Sequence, residues 1–175
     1  MRHIRITVAF GIFTILATAL LVWRPFSIWP PAASDASLQA RFRAHELKLL
    51  RLVSMFRTDS GFKSVSVAYV PSQTLGDGSA HSTRIEMPVD RWQQYVRLLS
   101  EAGVRSIERD GASIHFIVSV GTDGWNTQRK GFSYLESAPA TLHQSLHHIR
   151  PGTPTPAYRA LQRPHWYVSY FWEAF

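Results

Sequence analysis

Between Ile6 and Trp23 the chain carries 18 consecutive residues without a charge. A helix needs about 20 such residues to cross the hydrocarbon core of a bilayer. The run is apolar on every side, so it does not read as a core helix, which would carry one polar face. Thr7, Thr14 and Thr18 can return their hydroxyls to the helix backbone and so cost little in lipid. Arg2 and Arg5 stand just before the run, and the positive-inside tendency puts that end in the cytoplasm. Trp23 and Trp29 suit the opposite interface. A cleaved signal peptide is the competing reading, with Ala32-Ala33-Ser34 as the place to cut. Its apolar core is normally about 7 to 15 residues, shorter than this one. Arg24-Pro25 also follows the run directly. The expectation is therefore an uncleaved single-pass anchor over 1–23, inserted in a bacterial inner membrane. A Pro/Ala linker over 24–37 follows, stiffened by Pro25, Pro30 and Pro31. Residues 38–175 form one extracytoplasmic domain, held in the periplasm.

A domain of that size can bury a core without staples. It must do so, because the chain has no cysteine. That excludes disulfides, thiolate metal sites, cysteine nucleophiles and a lipidated cysteine. The formal charge is +7, and from Ser37 onward 16 basic and 11 acidic residues leave +5. The excess is dispersed, without the clustered basic stripe of a nucleic-acid binder, so nucleic acid is not an expected partner.

The pattern predicts an α+β fold, with two helices packed on an antiparallel sheet of about four or five strands. Ser37 is the predicted N-cap of the first helix. Leu38, Phe42, Leu49, Leu52, Val53 and Phe56 share a face of it, and it ends by Asp59-Ser60-Gly61. Val65–Val70 alternates as a strand, and Pro71–Ser82 reads as a polar loop. Arg84–Met87 is a short strand. Pro88 opens a second helix carrying Trp92, Tyr95, Val96 and Leu99 inward, which Gly103 ends. Asp110-Gly111 is a hairpin signal between Val104–Glu108 and Ala112–Val120. Gln128–Glu136 is a further strand. Residues 139–163 read as irregular, with a short helix over Leu142–His148. His165–Trp172 closes the chain as an aromatic strand, with Trp166, Val168, Tyr170 and Trp172 on one face.

Few residues select a chemistry. His143 and His147 would stand one helical turn apart if that segment were helical, with His148 beside them. They are the only metal candidates, and they lack a third ligand and a His-Glu-x-x-His pattern. No metal or other cofactor is expected. No Gly-x-Ser-x-Gly elbow selects a nucleophilic serine. Gly121-Thr122-Asp123-Gly124 and Gly76-Asp77-Gly78 lack the Lys-Ser/Thr of a phosphate loop and read as turns, with too few carboxylates for calcium. The exposed side of the closing strand, Tyr167 and Phe171, together with Lys130 and Tyr134, forms the candidate partner surface, since aromatics beside basic residues anchor interfaces.

Three segments carry a resemblance: Met55-Phe56-Arg57-Thr58-Asp59, Lys130-Gly131-Phe132-Ser133-Tyr134 and His165-Trp166-Tyr167-Val168-Ser169-Tyr170. Over about 110 residues from Leu38 the chain resembles small N-terminally anchored envelope proteins of Gram-negative bacteria. Those carry a Lys-Gly-aromatic-x-Tyr strand and a closing Trp-Tyr-x-x-Tyr strand. Here Val168-Ser169 replaces larger residues. The resemblance implies an envelope location and brings no known activity or catalytic residue with it. The expected function is a membrane-anchored, non-enzymatic domain that binds another protein, concretely an immunity or inhibitor protein against a delivered toxin. Two other readings stand beside it. One is an enzyme or ligand-binding domain with a pocket near residues 130–148, using Lys130, Tyr134, His143, His147 and His148. The other is a structural part of an envelope complex.

Overall fold

Ser34 starts the first helix, because its side chain accepts a hydrogen bond from the Ser37 amide at 3.1 Å. The computed structural model describes residues 33–69, 71–75, 83–122, 126–147, 149 and 156–174. The run Ile6–Trp23 lies outside them, as do Gly76-Asp77-Gly78, Asp123 and His148. Among the described residues no helix is long and apolar enough to cross a membrane.

The elements in chain order are α1 (Asp35–Thr58), β1 (Ser64–Ser66), β2 (Ser72–Leu75), β3 (Thr83–Glu86), α2 (Val89–Ala102), β4 (Ser106–Asp110), β5 (Ser113–Thr122), β6 (Asn126–Tyr134), β7 (Ala157–Ala160) and β8 (Trp166–Ala174). Two helices pack with a six-stranded antiparallel sheet ordered β1-β4-β5-β6-β8-β7, so the α+β class holds. The sheet has one strand more than the upper expectation. β2, inside the stretch that reads as a loop, pairs antiparallel with β3, the short strand expected over Arg84–Met87, in a separate two-stranded sheet. One compact unit runs from Pro31 to Phe175.

The core lies between the sheet and α1, with α2 packed on α1 and β1. Phe42 of α1 meets Phe132 of β6 at 5.8 Å and Trp166 of β8 at 5.0 Å between ring centroids. Trp166 also packs on Phe116 of β5. The apolar series of α1 skips from Phe42 to Leu49, and the position between them is His45. There the backbone leaves helical geometry (φ −127°, ψ 16°) and the helix kinks. α2 ends at Gly103 in the left-handed conformation (φ +64°), and Arg41 of α1 donates to the Gly103 carbonyl at 2.5 Å. The Asp110-Gly111 signal is a tight turn in which Gly111 has φ +56°, joining Asp110 to Ser113.

Three sequence expectations fail for identifiable reasons. α1 begins at Asp35, not after Ser37, because Ser34 supplies the cap, and the Asp35 carboxylate in its first turn is a buried acceptor for groups far along the chain. Its Oδ1 lies 2.6 Å from Lys130 Nζ. Its Oδ2 accepts from the Leu146 amide at 2.8 Å, with Ser145 Oγ and Arg159 Nη1 each at 3.3 Å. Of the helix expected over Leu142–His148, the described residues 142–147 form none. The amides of His143 and Leu146 are spent on Tyr158 O and on Asp35, so the i→i−4 ladder is lost to tertiary bonds. The irregular region 139–163 contains an edge strand, β7, held to β8 through the pairs Ala157–Tyr170 to Ala160–Tyr167.

Burial alone pushes the Asp35 carboxyl up. Lys130 and the Leu146 amide outweigh it, and the group sits below its ordinary value. Asp35 is 1% exposed and Lys130 4%. Removing one partner strands a buried charge, so Asp35→Ala is expected to cost about 3–5 kcal/mol. The double variant Asp35→Leu/Lys130→Met should recover most of that loss. Urea unfolding of the four corners of this cycle measures it, and a double variant as unstable as Asp35→Ala would refute the ion-pair account.

Gly131 is fixed by a different constraint. The β5–β6 register shifts between Ile117 and Ser119, and a Cβ on Gly131 would fall 1.8 Å from Phe116 O. That oxygen belongs to the backbone and cannot swing aside. Gly131→Ala should destabilise by about 3 kcal/mol or more. The melting temperature would drop by roughly 10 °C, read by circular dichroism.

Candidate functional site

The period-two geometry of β4, β5, β6 and β8 sends alternate side chains away from the helices. Cross-strand pairs then line up Glu108, His115, Ser133 and Tyr167 on that far face. Arg129 and Phe171 form the adjacent pair. At this end of the sheet lies a cavity of about 470 Å³, with Glu108, Asp110, His115, Arg129, Phe171 and Trp172 in its lining. That volume is within the range of small-ligand sites.

His115 sets the electrostatics. It is 5% exposed, its Nδ1 shares a hydrogen bond with Ser133 Oγ at 2.7 Å, and its ring meets Phe171 edge-on at 4.9 Å. Burial lowers its pKa to about 4; Asp110 opposes that shift and Arg129 adds to it. The imidazole is therefore neutral at neutral pH. Burial, with Asp110 second, likewise raises the Tyr158 hydroxyl above its ordinary value. Arg129 donates to Glu108 Oε2 at 2.6 Å and lies over the Phe171 ring at 5.8 Å. Glu108 takes a second bond from Ser106 Oγ at 3.2 Å.

A Glu-His-Ser row invites comparison with a hydrolytic relay, but the bonding differs. The Glu108 carboxylate is held by Arg129 and Ser106, not by the imidazole. Ser133 is fully buried, so its hydroxyl is out of reach of a substrate. The cavity offers charged and aromatic groups already fixed in place, which suits recognition better than proton transfer.

The residues singled out from sequence have separate fates. Phe171 is half-buried and lines the cavity. Tyr167 is buried against Tyr158 and Leu135. Lys130 is on the helix side of the sheet, committed to Asp35. Tyr134 is half-buried on Trp166, under the Arg57 guanidinium at 5.0 Å. His147 Nε2 accepts from the Asp35 amide at a long 3.5 Å, and His143 lies in the loop pinned to Tyr158. Of these residues Phe171 alone lines the cavity; Tyr167, Lys130, Tyr134, His143 and His147 do not. Among the described residues no three His, Asp or Glu side chains gather in a way that could hold a metal.

His115, Glu108 and Asp110 escape the sequence reading, although a signal exists. The Asp110-Gly111 turn fixes the β4–β5 register and so places Glu108 opposite His115. His115 is also a lone polar residue in the run Ile114-His115-Phe116-Ile117-Val118. No family model, curated protein or solved structure matches the chain.

The folded pKa of His115 lies below its unfolded value of about 6.5. The unfolded chain therefore binds the proton first, and stability falls as pH drops from about 6.5 to about 4. The full effect is on the order of 3 kcal/mol. Chemical unfolding at pH 7.5, 5.5 and 4.5 should show this loss, and His115→Gln should flatten it in that window. The loss of the Asp35 interaction comes lower, below its ordinary value of 3.8. A native profile that is flat between pH 7 and 4.5 would contradict the buried neutral imidazole.

Proposed function

We propose that this chain is a membrane-anchored periplasmic domain whose work is to bind another protein, in its concrete form an immunity or inhibitor protein against a delivered toxin. The observation that carries the binding part is the cavity where Phe171, Arg129, Glu108 and Asp110 meet. Aromatic and arginine side chains in a preformed depression are the residues that dominate binding energy at interfaces. His115 is buried and neutral and Ser133 is closed off, which favours binding over hydrolysis. The anchor part rests on the uncharged run Ile6–Trp23 behind Arg2 and Arg5. On this reading the chain is single-pass in the inner membrane of a Gram-negative cell, with its N-terminus cytoplasmic.

A second reading shares the cavity. Its volume suits a small molecule, and such a ligand would bind at Glu108–Phe171 and not near residues 130–148. Native mass spectrometry of the detergent-released protein separates the two, since a retained small molecule adds mass and a protein partner adds a chain.

Membrane fractionation with intact mass tests the anchor: the full-length mass should appear in the carbonate-resistant fraction. Pull-down from detergent-solubilised envelope tests the binding. Phe171→Ala is expected to weaken a captured partner by about 2 kcal/mol, roughly 30-fold in Kd. Recovery of no specific partner, with unaltered self-protection in a deletion strain, would sink the proposal.

A further inference from the structure

The outward stripe of α1 has an unusual composition for a solvated helix face. Ala40, Ala44, Leu47, Arg51 and Ser54 follow one another at helical spacing, are all exposed, and include no carboxylate. Leu47 is 81% exposed and adds nothing to the core. It sits at a shallow depression between the helices, beside Lys48 and Arg51 of α1 and Arg97, Leu98 and Glu101 of α2. Glu101 is bonded to Lys48 at 2.8 Å. Among the described residues neither Arg51 nor Arg97 makes a hydrogen bond or a close ion pair, although Lys48 and, more weakly, Arg97 lower the Glu101 carboxyl. Three cations and one carboxylate therefore surround a protruding leucine.

We propose that this α1–α2 surface docks on the anionic headgroups of the membrane that tethers the chain, with Leu47 entering the interface. The inference rests on the anchor reading. Two features favour lipid over an acidic protein. The first is the pairing of cations with an outward apolar side chain, the arrangement by which surface helices bind anionic bilayers. The second is chain length. Residues 24–34 link Trp23 to the start of α1, and 11 residues span at most about 40 Å. The surface is thus held at high effective concentration against the bilayer, where weak attraction suffices. Each net cation near an anionic surface favours the docked state roughly fivefold, so two give on the order of 30-fold. Salt should weaken it, because the screening length falls to about 3 Å at 1 M.

The absence of cysteine makes a single label clean. Ala44→Cys in the full chain carries a polarity-sensitive dye one turn from Leu47, and Ala112→Cys, in the exposed β4–β5 turn, serves as the remote control. The protein is reconstituted in phosphatidylcholine vesicles, with or without about one-third phosphatidylglycerol. The expected result is a blue shift and several-fold stronger quenching by lipid-borne quencher at position 44 in anionic vesicles. One-molar salt should reverse it, Arg51→Glu/Arg97→Glu and Leu47→Glu should abolish it, and position 112 should stay silent. An inserted chain whose dye at 44 ignores phosphatidylglycerol overturns this inference alone. A chain that does not float with vesicles overturns the tether and the inference together. A dye that ignores lipid but responds to poly-glutamate overturns it in favour of an acidic protein partner.

Discussion

The ion pair between Asp35 and Lys130 determines more of this structure than any other contact. Two charges taken from water cost several kcal/mol each, and only close pairing with further hydrogen bonds offsets that. Asp35 supplies the pairing by accepting from Lys130, the Leu146 amide, Ser145 and Arg159. It thereby joins the first turn of α1 to β6, to β7 and to the loop between them. Its main consequence is specificity. Strand side chains alternate, so Lys130 turned toward the helices forces Arg129 to the far face. A one-residue slip of β6 would strand Arg129 among the apolar groups under α1 and remove it from Glu108. The cavity therefore depends on a bond made on the opposite side of the sheet.

Where a signal was local, the sequence was readable. Asp110-Gly111 specifies its turn through glycine φ, Gly103 specifies the end of α2, and the alternation of β8 specifies its inner face, whereas in β5 the bulge after Ile117 pairs Val120 with Arg129 of the far face. Elements fixed by distant partners were not readable. Ala157-Tyr158-Arg159-Ala160 has no alternating apolar pattern and is a strand because β8 pairs with it. The stretch after Leu142 has helical spacing but loses its amides to Asp35 and Tyr158. Asp35 itself looks like linker, since its meaning comes from Lys130, 95 positions later in the sequence.

The site was hidden by a rule that works only when one sheet face is wet. Alternation assigns His115, Ser133 and Ser169 to solvent, yet all three are buried. Their small or neutral side chains make this tolerable. Ser133 satisfies the imidazole, and Gly131 lets the backbone of β5 come close beside its bulge. A charged residue at any of these positions would have been costly to cover. With small side chains at its centre the far face closes there, while its end stays concave. Phe171, the residue of the sequence-derived partner surface that lines the cavity, stands at that end.

The two surfaces assigned a role are on opposite sides of one sheet. Glu108, His115, Arg129 and Phe171 point away from the helices, whereas Leu47, Arg51 and Arg97 are on the outer side of the helix layer. On the docking reading, helices resting on lipid turn the cavity toward the periplasm, where a partner can reach it. The electrostatics agree with that division. The helix side carries an excess of cations over carboxylates, Lys48, Arg51 and Arg97 against Glu101, while the cations near the cavity are already committed, Arg129 to Glu108 and Arg109 to the Phe56 ring and carbonyl. Lipid would therefore compete poorly for the cavity, and a partner bound there would have little reason to loosen the helices from the membrane. On the proposed reading, tethering and recognition would then be independent of one another.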